Sequence, residues 1–198
     1  MTKHSDSSLE TLREIRSLME RSSRFISLSG LSGVAAGLSA LLGAAAVYWY
    51  LESAPFASRF HDYDLAPDAE RWGISYLTFF LLDAGLVLAA AIGGGIYVTT
   101  RKARRKGLPI WDALTRRLLI NLLIPLGAGG VFILALFYQG HLGLIAPAML
   151  IFYGLGLVNA SKYTLKDIRW LGVTEVALGL VASFRPGFGL ELWALGFG

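Results

Sequence analysis

The sequence predicts an all-α, polytopic helical membrane protein. It should have five complete spans and a sixth at least begun, preceded by an N-terminal amphipathic surface helix. Three observations predict this. The 198 residues are 55% apolar, with a mean hydropathy of +0.56. Only 16% are charged, whereas about a quarter would be expected in a soluble domain. The charges are also segregated: none lies between Phe25 and Leu51, and no Lys, Arg, Asp or Glu lies between Leu118 and Ser161. Roughly 20 helical residues cross the hydrocarbon core of a bilayer, so such runs are span candidates. The chain has no cysteine, which excludes disulfides and thiolate metal sites.

Residues 1–24 form a cytoplasmic N-terminal segment. Ser7 followed by Glu10 is a capping-box pattern, and Leu9, Leu12, Ile15, Leu18 and Met19 fall near one helical face. This reads as an amphipathic helix on the membrane surface. It is not a cleavable signal, because about two dozen polar-rich residues precede an apolar run long enough to span. Residues 25–198 form the helical transmembrane domain. Its spans are placed near 25–51, 74–99, 117–138, 142–161, 168–184 and 188–198. Pro125 and Pro147 lie inside the third and fourth. There they kink a helix without ending it when neighbours satisfy the freed carbonyls.

Orientation follows from the basic residues. The N-terminal segment carries Lys3, Arg13, Arg16, Arg21 and Arg24. The 101–117 loop carries Arg101, Lys102, Arg104, Arg105, Lys106, Arg116 and Arg117, and the 162–169 loop carries Lys162, Lys166 and Arg169. The alternate loops hold only Arg59, Arg71 and Arg185. The positive-inside rule then puts the N-terminus in the cytoplasm. Trp49, Trp72, Trp111 and Trp170 sit near span ends, as interfacial anchors do.

The last segment has 11 residues from Phe188, or about 16 Å of helix. That is about half a bilayer, so the expectation is a chain that continues past Gly198. The stretch from Asn121 to Leu180, beginning "NLLIPLGAGG", together with "ELWALGFG" at 191–198, resembles an uncharacterised family of bacterial integral membrane proteins. The resemblance covers most of the chain after about residue 20. In that family the final segment looks to run on with more apolar residues. The resemblance implies a six-span architecture in a bacterial inner membrane and assigns no chemistry.

Several residues are candidates for function. Asp83 and Glu175 lie in mid-span with no Lys or Arg in the interior of any span to pair with them. An intramembrane carboxylate is either neutral and hydrogen-bonded or charged against a cation or water. The two are candidates for a proton or cation site, with Asn121, Asn159, Thr78, Thr174 and Tyr153 as available hydrogen-bond partners. The alternative is neutral acids that join helices through hydrogen bonds. Span one carries two small-residue stripes, Ser29, Gly33 and Gly37, and Ser32, Ala36 and Ala40 continued by Ala44. Small residues let backbones approach closely in lipid, either within the fold or against another subunit.

Arg101, Lys102, Arg104, Arg105 and Lys106 are expected to contact anionic lipid. Topology already accounts for that charge, so nucleic acid is not expected as a partner. His61, Asp62 and Asp64 read as a solvated acidic loop, with a metal site as the alternative. No cofactor is expected. His-Glu-x-x-His, Gly-x-Ser-x-Gly and paired mid-span histidines are all absent.

These features indicate a non-catalytic inner-membrane protein that associates with itself or with other membrane subunits. A small proton- or cation-coupled transporter or channel is the second reading. The topology is directly testable. A reporter fused after Lys106 should be active only as a cytoplasmic marker, and one inserted near Asp64 only as an external marker. The reverse pattern would invert the orientation.

Overall fold

The computed structural model describes Ile15, residues 30–51, residues 70–105, Trp111 and residues 113–198. The proposed surface helix, the acidic cluster at 61–64 and Lys106 lie outside these residues. The described chain is helical: α1 (Gly30–Leu51), α2 (Tyr76–Arg105), α3 (Ala113–Tyr138), α4 (Ile145–Ala160), α5 (Lys166–Phe184) and α6 (Gly189–Phe197). Single 3₁₀ turns at Leu142–Leu144 and Ser161–Tyr163 extend α4 at both ends. Four of these stretches are long and apolar enough to cross a membrane: Gly33–Leu51, Tyr76–Arg105, Ala113–Tyr138 and Leu142–Tyr163.

α2 runs six residues past the expected boundary at 99. Lys102, Arg104 and Arg105 occupy its last turn, where cations complement the negative end of the helix dipole. At its other end Ser75 accepts a hydrogen bond from the Thr78 backbone N–H at 3.3 Å, capping the first turn.

One element departs from the all-α expectation. Glu70–Arg71 (β1) pairs antiparallel with Ile74–Ser75 (β2). The turn between them has positive φ at both Trp72 (53°) and Gly73 (73°). Two positive φ values are what a two-residue type I′ hairpin requires. Strands of two residues are too short for any periodicity to reveal. Tertiary contact holds this hairpin. Tyr50 is 1% exposed, and its hydroxyl donates to the Ile74 carbonyl at 2.7 Å. Its ring stacks on Phe79 at 3.8 Å and meets Tyr76 edge-on at 5.4 Å, while Trp49 lies 4.8 Å from Trp72.

The core is built around α4. A Cβ added at Gly154 would stand 2.6 Å from the Gly172 carbonyl oxygen, and one at Gly172 would stand 2.7 Å from the Gly154 carbonyl oxygen. The two backbones therefore touch. Gly179, about two turns further along α5, faces Ile151 and the Pro147 carbonyl at 2.9 Å in the same sense. On the other side of α4, Gly156 faces Leu122 of α3, and Gly129 of α3 receives Phe152. α6 packs on both α4 and α5, α1 packs on α6, and α2 packs on α1.

Pro125 lies inside α3, which continues through it. A helical residue normally donates its N–H to the carbonyl four residues back, and proline has no N–H. The carbonyl left without its helical partner is that of Asn121. Asn159 of α4 donates its side-chain N–H to that oxygen at 2.9 Å. Pro147 sits in the first turn of α4, where an N–H has little helical demand.

Two substitutions test this packing. Gly172→Val forces methyl groups against the α4 backbone and should lower stability by about 1–3 kcal/mol or more. Asn159→Leu leaves the Asn121 carbonyl unsatisfied and should cost about 1–2 kcal/mol. Thermal unfolding in detergent measures both, and an unchanged midpoint would show that neither contact contributes.

Candidate functional site

Asp83 and Glu175 belong to different helix contacts. Asp83 of α2 faces Gly43 of α1, where its Oδ2 lies 3.3 Å from the position a Cβ would take. Val87 approaches the same glycine even more closely. Asp83 remains partly exposed. Glu175 of α5 is 1% exposed, among the most deeply buried large side chains described. It is covered by α6: a Cβ at Gly196 would stand 2.6 Å from Glu175 Oε2 and 2.6 Å from Leu150 Cδ2. Glycine at 196 therefore lets the α6 backbone close over the carboxylate.

The chemistry around Glu175 is incomplete. Its Oε2 is buried with no hydrogen-bond partner, and so is the indole Nε1 of Trp193, one turn before Gly196 on α6. Tyr153 of α4 lies within electrostatic range of Glu175. The Tyr153 and Trp193 rings both pack on Phe197, at 4.8 and 5.1 Å. Glu175 Oε2 is thus covered by the helix that also carries the buried Nε1 of Trp193 and, through Phe197, an aromatic cluster. An unpaired charge in such a place costs several kcal/mol. A proton on the carboxylate removes that charge.

Most of the hydrogen-bond partners expected for the two acids are occupied elsewhere. Thr174 donates to its own helix, to the Trp170 carbonyl at 2.9 Å. Thr78 pairs with Ser75 at 2.9 Å. Asn121 donates to the Arg117 carbonyl at 2.8 Å, and Asn159 serves the carbonyl released by Pro125. Of the five, Tyr153 is the one brought close to Glu175. Trp193 and Gly196 were not singled out from the sequence. The signal available was a glycine in a short apolar segment, and that alone does not name the residue beneath it.

The small residues of α1 are used unequally. Gly37 meets the end of α6, with a Cβ position 2.8 Å from the Gly198 carbonyl oxygen, and Ala40 and Ala44 are buried. Ala36 is half-buried, and Gly33 faces open space. Ser29 and the side chain of Ser32 lie outside the described residues. Arg101, Arg104 and Arg105 are exposed at the end of α2, and Lys102 is half-buried. Among the described residues no cluster of three metal-ligating side chains occurs.

Compared with protein-family models, with curated proteins and with solved structures, the chain matches none.

The closure over Glu175 has a chemical readout. Wild-type Glu175 should resist a water-soluble carbodiimide, and Gly196→Leu should make it reactive by lifting α6. Mass spectrometry of the modified peptide distinguishes the two. Equal labelling in both proteins would show that Gly196 does not seal the site.

Proposed function

We propose that the chain is a non-catalytic integral protein of a bacterial inner membrane, with its N-terminus in the cytoplasm. It acts by packing with a second copy or with other subunits of a membrane complex. In this reading α1 to α4 are four spans, α5 is the fifth, and α6 begins a sixth. α5 has 19 residues, or about 28 Å, close to the thickness of the hydrocarbon core.

The observation that carries the proposal is an unused small-residue face on α2. Gly85, Ala89 and Gly93 are exposed at four-residue spacing, and nothing lies within 4 Å of a Cβ built at Gly85, Gly93 or Gly95. At the same level Gly94 meets Ala35 of α1, and Gly33 is open. Each glycine inside a helix costs about 1 kcal/mol relative to alanine. Within α4 and α5 the glycines return that cost as close packing. At Gly85, Gly93 and Gly95 of α2 no described helix collects it, and a helix from another chain would.

A second reading is favoured by one observation, the buried and unpartnered Glu175. It is a small proton- or cation-coupled transporter or channel using Glu175 and Asp83. The readings separate experimentally. Under the assembly reading, protein gently extracted from its membrane appears in native mass spectrometry as an oligomer or with bound subunits. Gly93→Leu reduces it to a lone chain with unchanged helix content. A lone wild-type chain would sink that reading. Loss of ion flux in Asp83→Asn or Glu175→Gln, with folding intact, would then establish transport.

A further inference from the structure

The geometry points to a binding site for one anionic phospholipid of the cytoplasmic leaflet in the crevice between α3 and α4. The inference rests on the membrane reading above and adds a defined ligand to it. The crevice is a groove of about 400 Å³ lined by Pro125, Phe152, Leu155, Val158, Asn159 and Lys162. Pro125, which has no N–H, and Asn159, which donates to the carbonyl that Pro125 releases, both line it, so the two helices are bridged there by a polar link.

The groove has one polar end. Lys162 Nζ donates to Asn159 Oδ1 at 3.3 Å, and Asn121 Nδ2 reaches the Tyr163 hydroxyl at 3.5 Å. Arg117 lies one turn before Asn121 on the α3 stripe that leads to Pro125, and its side chain is exposed. From Phe152 to Leu155 and Val158 the wall is apolar. The ten residues from Phe152 to Lys162 rise about 15 Å, which is about half the hydrocarbon thickness and so the depth of one leaflet. One acyl chain fits the apolar wall, and its phosphate falls beside Lys162 and Arg117. A free anion would gain nothing from the apolar length, and an uncharged lipid would gain nothing from the two cations.

The experiment uses the full chain, delipidated in detergent and titrated with phosphatidylglycerol or phosphatidylcholine of identical acyl chains, followed by native mass spectrometry. The wild type is expected to bind one phosphatidylglycerol in preference to phosphatidylcholine. Lys162→Gln and Arg117→Gln should each weaken phosphatidylglycerol roughly fivefold, as loss of one basic contact predicts, and leave phosphatidylcholine unchanged. Leu155→Trp fills the groove and should weaken both lipids. Arg185→Gln, exposed at the other end of the helices, should change neither. Equal binding of the two lipids by the wild type, or variants at 162 and 155 that bind like it, would overturn the site. Failure of the membrane reading looks different: the chain would stay dispersed without detergent and carry no lipid at all.

Discussion

The backbone contact between α4 and α5 is what the rest of the molecule depends on. Gly154 and Gly172 face each other across it, and a single Cβ at either position would stand closer to the opposite carbonyl oxygen than van der Waals contact allows. In the proposed membrane setting no hydrophobic force acts between helices, so dispersion at short range and polar links hold them. The close pair creates the surface on which α6 lies. α6 in turn presents its end to Gly37 of α1, and α1 carries α2. The order of dependence runs outward from two glycines.

That same dependence explains why Glu175 is buried. It stands on the helix that α4 draws inward, and Gly196 allows α6 to close above it. A carboxylate in this position is costly, and among the described residues no ion pair neutralises it. The fold therefore tolerates a polar group that packing alone would not choose. Asp83 differs in kind: it lies at the edge of the α1–α2 contact and keeps access to its surroundings. Two acids that look equivalent along the chain occupy environments with different physical demands.

The helix interrupted by Pro125 shows how polar satisfaction and packing coincide. Asn159 does not reach either acid. It replaces the one hydrogen bond that α3 cannot make for itself. Satisfying that carbonyl ties α3 to α4 near the basic end of the bundle and leaves an apolar crevice beside the tie. The aromatic group around Tyr50 does similar work at the opposite end, where a phenol hydroxyl fastens a two-residue ladder to the end of α1. In both places a single side-chain hydrogen bond sets the position of a whole element.

How much of this was legible varied with the range of the interaction. The apolar helices, their lengths and the basic ends that flank them follow from composition and local pattern. These depend on solvent transfer and on 1.5 Å of rise per residue, which no neighbour changes. The link at Pro125 was half legible, since the released carbonyl must be that of Asn121, while the donor is 38 residues away. The hairpin at Trp72 was not legible, because two-residue strands leave no pattern. By itself the sequence determined which segments are helices fit for an apolar medium, where the charges gather, and that Asp83 and Glu175 have no cation within a turn of them on their own helices. Only the tertiary structure decided which glycines are spent on internal contact and which stay open, and which acid is sealed and by what. Those outcomes depend on differences of a few tenths of an ångström in how closely helices approach, and helix faces rich in Gly, Ala and Leu look alike until another backbone is set against them.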